Sequence, residues 1–262
     1  WSIARVGPVA KVDPASLPRR ANLHWLGGRP YRELPAMTKG FAVCLNASRS
    51  IDAARAVAAG IVAAGGRAIA VQADVSRKED VAALFAACDR ELGTPTALIN
   101  NAAVVGAQRE IGDVDAGFLR QVFATNVDSV FFCVGEAVKR MSTRHGGKGG
   151  AIVNISSAAA RMGGVVGWAA YAASKGAVDS FVMNAAKDLG PQGIRICGLR
   201  PGMTRTEMLQ EIGGEARIQA GISTVSLGRA AEPEEIAEAA VFLASPRASY
   251  IHGTTIDVTG GR

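Results

Sequence analysis

Cysteine and histidine are scarce in this sequence, and their placement disfavours both disulfides and metal sites. The 262 residues include three histidines, too far apart for a sequence-local ligand cluster, and four cysteines without CxxC spacing. Each cysteine lies within an apolar stretch, which predicts small buried side chains in a reducing compartment. The cysteines are Cys44, Cys88, Cys133 and Cys197. We therefore expect no disulfide framework and no metal centre.

Long apolar runs are also lacking. A membrane span needs roughly 18 consecutive apolar residues, and no run in the sequence approaches that length. The first residues, Trp1 to Arg5, do not form the basic cap and apolar stretch of a secretory signal. Hydrophobic residues make up 48% of the chain and charged residues 20%, which excludes disordered, collagen-like and coiled-coil proteins. These features predict a soluble cytoplasmic protein with no membrane partner.

The net charge of +6 is concentrated at one end of the chain. Residues 1–40 carry seven basic and two acidic side chains, a net charge of +5, whereas the remaining 222 residues carry +1. The same 40 residues contain five of the ten prolines. Because the basic residues are neither clustered nor periodic, they favour a solvated surface over a tail that binds polyanions. We expect no nucleic-acid partner.

From Gly40 onward, predicted strands alternate with predicted helices. The predicted strands are Phe41–Asn46, Arg67–Asp74, Thr96–Asn101, Ala151–Ser156, Ile194–Leu199 and Thr254–Val258. The predicted helices are Ile51–Ala64, Val81–Leu92, Phe118–Met141, Ala169–Leu189 and Pro233–Ala244. This alternation predicts right-handed crossovers and a parallel sheet covered by helices on both faces. The fold class is therefore α/β, a single doubly wound, Rossmann-type sheet.

Polar residues stand where the predicted strands end. They are Asn46, Asp74, Asn100, Ser156 with Ser157, and Arg200 before Pro201 and Gly202. A hydrophobic core alone would not require polar residues at these positions. In a doubly wound sheet, ligands bind outside the carboxyl ends of the strands. The pattern therefore predicts a binding cleft at that edge.

Tyr171 and Lys175 are spaced to share one face of a helix. A nearby ammonium favours the phenolate and lowers the pKa of a phenol from about 10. Such a phenol can act as a general acid in carbonyl reduction or as a general base in alcohol oxidation. Taken alone, the spacing is equally compatible with an ordinary pair on a helix surface.

Three further positions add chemical context to that pair. Ser157 lies 14 residues before Tyr171, at the end of the strand that feeds the same helix, where its hydroxyl can bond a substrate oxygen. Asn126 is a polar residue within the long apolar helix; the alternative reading is an amide bonded to backbone. The turn from Pro201 to Thr204 combines rigidity with a hydroxyl, although by itself it would be only a turn.

Several motifs occur in order along the chain: Asp74-Val75, Asn100-Asn101-Ala102-Ala103, Asn126, Asn154-Ile155-Ser156-Ser157, Tyr171-x-x-x-Lys175, Arg200-Pro201-Gly202 and Asp257-Val258-Thr259-Gly260-Gly261. From about Gly40 to Gly261 the chain resembles the classical short-chain dehydrogenase/reductase family, and is similar to its 3-oxoacyl-carrier-protein reductase and sugar dehydrogenase branches. The resemblance implies an oxidoreductase that transfers a hydride between a nicotinamide cofactor and a carbonyl or secondary alcohol. It also implies a homo-oligomer, a tetramer or a dimer, formed through the two long helices.

The resemblance assigns a role to each matching residue. Tyr171 would be the acid/base, Lys175 would hold the ribose hydroxyls and depress the pKa of the phenol, and Ser157 would position the substrate oxygen. Asn126 would anchor a water in the proton relay. The remaining cofactor contacts would be Asp74, with Val75, beside adenine, Asn100 beside a ribose, and Pro201, Gly202 and Thr204 facing the nicotinamide.

In the family pattern, the predicted strand Phe41–Asn46 is the second strand, and the residues at its end bear on the choice of cofactor. An acidic residue there binds the adenosine ribose hydroxyls, whereas a nearby arginine accommodates a 2′-phosphate. This strand is followed by Ser48 and Arg49, with a guanidinium and no carboxylate. The sequence therefore favours NADP(H) over NAD(H); the alternative is that Arg49 is merely exposed.

The first βα unit departs from the family pattern. The family's glycine-rich turn, Thr-Gly-x-x-x-Gly-x-Gly, should lie at about residues 22–29, where only the adjacent Gly27 and Gly28 occur. Pro30 and Pro35 interrupt the following helix, and Pro18-Arg19-Arg20 occupies the place of the first strand. We assign residues 1–39 to an atypical segment and 40–262 to the Rossmann-type domain. A reading-frame error upstream of about residue 39 is favoured over genuine degeneration, and sequencing the coding DNA distinguishes them.

Two functions remain open on the sequence alone. The set of Asn126, Ser157, Tyr171 and Lys175 favours an active oxidoreductase, whereas the missing glycine turn would suit a non-catalytic nucleotide-binding or scaffold protein. A methyltransferase is disfavoured because it would not need Tyr171 with Lys175. Residues 161–164, Trp168 and a lid over residues 206–225 are expected to border the pocket of a small-molecule substrate. The mixed charge of the lid excludes neither an anionic nor a neutral substrate.

Overall fold

A computed structural model describes residues 21–26 and 41–262 of the chain. Within these residues the strands form one parallel sheet in the order β3-β2-β1-β4-β5-β6-β7. The strands are β1 (Ala21–Leu26), β2 (Phe41–Ala47), β3 (Arg67–Gln72), β4 (Ala97–Asn100), β5 (Gly150–Ile155), β6 (Ile194–Pro201) and β7 (Thr255–Val258). The order reverses at β1, which pairs with both β2 and β4. The predicted doubly wound α/β fold is confirmed, with a cleft expected at this reversal.

Helices connect the strands and cover both faces of the sheet. They are α1 (Ile51–Ala63), α2 (Lys78–Glu91), α3 (Ala116–Phe123), α4 (Ser129–Met141), α5 (Ala159–Met162), α6 (Ala169–Leu189), α7 (Glu207–Glu211), α8 (Gly214–Gly221) and α9 (Pro233–Ala244). Buried side chains of α2, α4 and α6 form the core on one face. Those of α1 and α9 form the core on the other. The central strands are therefore buried on both sides, as their continuous apolar sequences require.

The long helix predicted over Phe118–Met141 is interrupted in the structure. Its first segment, α3, ends at Phe123, a π-helical turn spans Ala124–Asp128, and α4 follows. The hydrophobic periodicity continues through the turn, so the sequence pattern does not reveal it. A π turn accommodates one extra residue and commonly marks a functional site. It places Asn126 in the interior of the protein.

The first strand corrects one of the sequence predictions. Residues 21–26 form β1 at the centre of the sheet, so the glycine-rich turn cannot begin at residue 22. A strand paired on both edges is held by backbone hydrogen bonds, which any non-proline sequence can make. Gly27, Gly28, Pro30 and Pro35, on which the prediction of an atypical phosphate-binding turn rests, lie outside the described residues. The division at residue 39 and the reading-frame hypothesis stay predictions.

The four cysteines are free and buried, as expected from their apolar surroundings. In residues 21–26 and 41–262, no helix combines the length and the apolar character needed to cross a membrane. The same residues do not bring together three or more histidine, cysteine, aspartate or glutamate side chains as a metal site would.

Candidate active site

Helix α6 presents Tyr171 and Lys175 to the same space. The Lys175 ammonium lies 5.9 Å from the centre of the Tyr171 ring. The Lys175 side chain is buried, with 3% of its surface exposed, and Nζ donates a hydrogen bond of 2.8 Å to the carbonyl of Ile155. This bond ties the lysine to the carboxyl end of β5 and fixes its position beside the phenol.

Burial controls the charge of Lys175. Removal from water disfavours the ammonium and lowers the pKa of Lys175 to about 8, although Asp179 opposes this effect. Asp179 lies four residues later on α6 and is itself buried. The lysine is therefore close to the boundary between its charged and neutral forms at neutral to mildly alkaline pH.

A chain of ion pairs extends from Asp179 towards β7. The Arg200 Nε donates to Asp179 Oδ2 over 2.7 Å, and its Nη1 lies 3.4 Å from Asp257 Oδ1. The other oxygen of Asp179 is buried and has no hydrogen-bond partner within the part of the chain that the structure describes. Arg200, singled out by its position at a strand end, therefore pairs with the carboxylate that acts on Lys175.

The Tyr171 phenol has a raised pKa. Burial raises the pKa of Tyr171 above its usual value, and hydrogen bonding with Ser157 works in the opposite direction. The expectation that the ammonium lowers the pKa of Tyr171 below 10 is therefore wrong, because burial has the largest effect and raises that pKa. The phenol keeps its proton over the neutral range.

Ser157 and Tyr171 converge, as the sequence predicted. Ser157 follows β5 and is half-buried, and its Oγ accepts a hydrogen bond of 3.1 Å from the Ala159 backbone N–H. That bond uses a lone pair and leaves the hydroxyl hydrogen for the Tyr171 oxygen, with which Ser157 is hydrogen-bonded. Ser156 differs, because its hydroxyl is buried and donates to the Lys175 carbonyl over 3.1 Å. Only the second serine of the pair is hydrogen-bonded to the Tyr171 phenol.

Asn126 is fully occupied by structural hydrogen bonds. Its amide oxygen accepts from the Val104 N–H over 2.8 Å. Its amide nitrogen donates to the Val104 carbonyl and to Ser174 Oγ, each over 2.9 Å. The sequence alternative of an amide bonded to backbone is therefore confirmed. The side chain joins the loop after β4 to α6 across the π turn.

Ser174 was missed by the sequence reasoning. It is completely buried, accepts from Asn126, and donates to the Tyr171 carbonyl over 2.7 Å. This hydroxyl links the π turn directly to the turn of α6 that carries Tyr171. Its only signal in the sequence is its place between Tyr171 and Lys175, on the face of the helix that carries both residues.

Two asparagines meet at the carboxyl ends of β4 and β5. Asn100 donates to Asn154 Oδ1 over 2.8 Å, and the two residues face each other in the strand register. Asn154 is completely buried, yet its Nδ2 has no hydrogen-bond partner among residues 21–26 and 41–262. An unpaired buried amide donor beside the cleft fits a polar ligand, since such groups are normally satisfied.

The predicted adenosine contacts lie at the other side of the cleft, after β2 and β3. Arg49 and Asp74 are exposed, and Asp74 Oδ1 accepts bonds from the N–H and the hydroxyl of Ser76 over 3.0 and 2.7 Å. Val75 is 5% exposed and packs in the core, so only its backbone could contact a ligand. Asn46 is buried and donates to the Ala73 carbonyl over 2.9 Å, which makes it a structural link between strands.

The turn after β6 holds the residues predicted to face the nicotinamide. Pro201, Gly202 and Thr204 are half-buried, and Thr204 Oγ1 donates to the Gly202 carbonyl over 3.2 Å. A Cβ at residue 202 would lie 2.7 Å from the Thr259 Cα, so a glycine is required for this close approach. The turn is rigid and borders the same edge of the sheet as Lys175.

A cavity of about 300 Å³ lies next to the start of α6. It is lined by Gly106, Ala107, Gln108, Trp168 and Ile212. Gln108 Nε2 donates to the Val166 carbonyl over 2.9 Å, which joins the loop after β4 to the loop before α6. Trp168, which lines the cavity, is three residues before Tyr171. Ile212 belongs to the lid, between α7 and α8.

These residues fit a nicotinamide dinucleotide. A buried ammonium, on Lys175 of α6, and an unpaired amide donor, on Asn154, both lie at the carboxyl end of β5. The crevice where the strand order reverses is the place at which doubly wound sheets bind dinucleotides. The described donor set therefore suits a ligand rich in hydroxyl and phosphate oxygens.

Comparisons with known proteins agree with this geometry. A family model described as "Enoyl-(Acyl carrier protein) reductase" matches residues 36–262. The uncharacterized oxidoreductase YgfF of Escherichia coli (strain K12) is 40% identical over 224 residues, which cover 86% of this chain and 91% of that protein. A 3-oxoacyl-[acyl-carrier-protein] reductase of Synechocystis is 35% identical over 227 residues, 85% of this chain and 87% of that protein.

A solved structure is similar over almost the whole chain. It is a 7α-hydroxysteroid dehydrogenase in complex with NADH and 7-oxo glycochenodeoxycholic acid. The two share 28% identity with a TM-score of 0.85, over 96% of this chain and 98% of that one. Together with the family match, these findings show that the chain is an oxidoreductase that belongs to the short-chain dehydrogenase/reductase family.

Proposed function

We propose that this protein transfers a hydride between NADP(H) and a carbonyl or secondary-alcohol substrate, and that carbonyl reduction is its main direction. The observation that carries this proposal is the convergence of Ser157, Tyr171 and Lys175 at the carboxyl end of β5. A phenol whose pKa is raised by burial holds its proton at neutral pH, and a held proton is what a general acid supplies.

Each residue of the set has a distinct task in the proposed reduction. Tyr171 donates its proton to the oxygen of the reacting carbonyl. When substrate binds, Ser157 turns its hydroxyl hydrogen from Tyr171 to the same oxygen, where negative charge develops. Lys175, in its charged form, stabilises the phenolate that Tyr171 leaves behind.

Asn126 supports the three reacting residues indirectly, by holding the local backbone in place. Both hydrogens and the oxygen of its amide are bound to Val104 and Ser174. A water of the proton relay would therefore bind at the main chain of the π turn, and the Asn126 side chain would hold that turn in place. This refines the role that the family resemblance implied for Asn126.

A nicotinamide cofactor, when bound, supplies or accepts the hydride. Lys175 and Asn100 would hold a ribose, Tyr171 would border it, and Pro201, Gly202 and Thr204 would face the nicotinamide. Asp74 and the Val75 backbone would contact adenine.

The preference for NADP(H) rests on Arg49. This exposed guanidinium follows β2 directly, and the next acidic residue, Asp52, is engaged by Arg55 over 3.0 Å. No carboxylate stands at residues 46–50 to repel a 2′-phosphate or to bind ribose hydroxyls. The charge at this strand end therefore suits the phosphorylated cofactor.

We also propose that the protein is a homo-oligomer, a tetramer or a dimer, assembled through α4 and α6. Phe131 of α4 and Met183 of α6 are 54% and 56% exposed, and the rings of Phe131 and Phe181 lie 4.5 Å apart. Large apolar side chains on adjacent helices form the kind of surface that a second copy covers. The proposed partners are a small-molecule substrate and other copies of this chain, in the cytoplasm.

A cofactor titration followed by a carbonyl panel tests the proposed function. We expect NADPH fluorescence to report saturable binding, and NADPH oxidation to follow addition of a reducible carbonyl. Tyr171→Phe should bind NADPH normally but reduce the carbonyl about 10²- to 10⁴-fold more slowly, the range lost with a general acid. Tyr250→Phe is the matched control, because Tyr250 is fully exposed. Saturable binding without turnover in the wild type would instead indicate a non-catalytic nucleotide-binding protein.

A further inference from the structure

We propose that the substrate carries an anionic group, a carboxylate or a phosphate, and that Arg217 of α8 binds this group against the face of Trp168. The inference rests on the proposed function, because it places the anion on the substrate of the Tyr171 site. It concerns residues 206–225, the segment predicted to form a lid over the cleft. The mixed charge of this segment does not indicate whether the substrate is anionic or neutral.

Arg217 stacks over Trp168, a residue that lines the cavity of about 300 Å³ next to α6. The guanidinium carbon of Arg217 lies 4.1 Å from the centre of the Trp168 ring. Trp168 is 9% exposed, lines the cavity, and stands one helical turn before Tyr171. An anion held by Arg217 would therefore belong to a molecule whose other end lies near the phenol.

The charge of Arg217 is uncompensated, unlike that of its neighbours in the sequence. Arg205 pairs with Glu215 and Glu232, and Arg229 pairs with Glu235 over 2.6 Å. Among the side chains that the structure describes, no carboxylate forms an ion pair with Arg217. A guanidinium cannot lose its charge in a protein, so this half-buried cation is complementary to an anion supplied from outside.

A second arginine increases the positive potential. Arg262 Nη1 lies 4.0 Å from the point where a side chain on Gly221, at the end of α8, would begin. Burial, and then the charge of Arg262, lowers the pKa of Arg217. Two like charges in proximity oppose each other, and an anion between or beside them removes that repulsion.

Two buried donors next to this pair also lack acceptors. The Trp168 Nε1 and the Arg262 Nε are inaccessible to solvent and have no hydrogen-bond partner in the described ranges of the chain. Buried donors are normally satisfied, and leaving one unpaired costs about 1–3 kcal/mol. Carboxylate and phosphate groups offer several acceptor oxygens at once, which a neutral alcohol or ketone does not.

In the alternative, the contact between Arg217 and Trp168 is a structural latch: it only holds the predicted lid against the start of α6. The two roles differ in what they recognise. A latch affects neutral and anionic substrates equally, whereas an anion-binding arginine affects only the anionic ones. The test therefore compares matched substrates that differ only in charge.

The experiment measures NADPH-dependent reduction of oxo acids and of their ethyl esters. The acids are 2-oxobutanoate, acetoacetate, levulinate and 5-oxohexanoate, which place the carboxylate at increasing distances from the carbonyl. Dihydroxyacetone phosphate against dihydroxyacetone tests phosphate separately. We expect at least one anion to exceed its neutral partner in kcat/KM by about 10- to 100-fold, the factor of one charge-assisted hydrogen bond.

Substitutions then assign the preference to Arg217. Arg217→Met keeps a long side chain against Trp168 and should abolish the preference, with the neutral substrates changed less than about 3-fold. Arg217→Lys keeps the charge without the planar fork and should retain part of it. Arg144→Met is the control for net charge, because Arg144 is exposed and precedes β5 at the opposite edge of the sheet. An equal loss on acids and esters in Arg217→Met would show a latch and overturn the proposal.

A second measurement is independent of turnover. Glutarate should raise the Tm of the wild type more than glutaramide does, and Arg217→Met should remove that difference. An Arg217-dependent shift without any turnover would support the anion site while refuting the proposed function. Turnover with no preference for anions would refute the anion site alone. Absence of both the Arg217-dependent Tm shift and the turnover would also overturn the anion site.

Discussion

The two sides of the cleft are built in opposite ways. On the side of β5 and α6, the polar groups are buried and held by one another: Lys175 by Ile155, Asn126 by Val104, and Ser174 by Tyr171. On the side of β2 and β3, Arg49 and Asp74 are exposed, and Asp74 is bonded to Ser76 and Asp80, which are close to it in the sequence.

The difference separates two kinds of function. Buried groups have few alternative positions, and their environment shifts their pKa values, as proton transfer requires. Exposed charges are screened and mobile, and they discriminate between ligands by modest energies. Changes to the buried side should therefore affect rate, stability and pH dependence, whereas changes to the exposed side should affect only the choice of cofactor.

After Tyr171→Phe, the largest effect should come from Ser157. Replacing Ser157 with alanine removes the donor to the developing charge, and kcat should fall about 10²- to 10³-fold, as for loss of an oxyanion donor. Ser156→Ala is the matched control: it removes a neighbouring hydroxyl that bonds the Lys175 carbonyl, and should change kcat less than about 10-fold. Steady-state kinetics with saturating NADPH measures both. Equal losses in the two variants would show that Ser157 acts through structure alone.

Asn126 tests the buried side of the cleft through the stability of the folded protein. Asn126→Leu removes the partners of the half-buried N–H and carbonyl of Val104 and the donor to the Ser174 hydroxyl. We expect the free energy of unfolding to fall by about 2–4 kcal/mol, since each unsatisfied buried group costs about 1–3 kcal/mol. Urea denaturation measures this change. Ser174→Ala should cost less, because it breaks fewer bonds; an unchanged midpoint in Asn126→Leu would contradict the structural role.

The pH dependence of kcat/KM should follow the ionisation of Lys175. Its pKa is about 8, and its charged form stabilises the phenolate, so kcat/KM for reduction should be high below pH 8 and fall above it. Asp179→Asn removes a negative charge that favours the ammonium, so the alkaline limb should move to lower pH by about one unit. Asp179→Glu should restore most of the wild-type profile. A limb that stays in place in Asp179→Asn would exclude this influence on Lys175.

Arg49 should give the smallest effect, confined to the exposed side. Arg49→Ala should lower the ratio of NADPH to NADH affinity by about 10-fold, the value of one charge-assisted hydrogen bond. The Tm and the rate with saturating cofactor should stay unchanged. Arg55→Ala is the control, because Arg55 already pairs with Asp52. If the affinity ratio does not change, Arg49 does not bind the 2′-phosphate.

Sequence reasoning was most accurate where local patterns carry the information. Strands and helices from residue 41 onward follow from the alternation of apolar runs and helical segments, and the i, i+4 spacing places Tyr171 and Lys175 together. It failed at β1, whose place in the sheet depends on pairing with two distant strands. It also failed at the π turn, which leaves no mark on the hydrophobic periodicity.

The sequence by itself determined the order of the elements, the polar residues at the strand ends, and the candidate acid with its lysine. Tertiary structure alone decided how those groups are charged and which are free to react. Burial raises the pKa of Tyr171 and lowers that of Lys175, and long-range hydrogen bonds occupy Asn46 and Asn126. The physical reason is that desolvation and hydrogen bonding depend on neighbours brought together by folding, which spacing along the chain does not record.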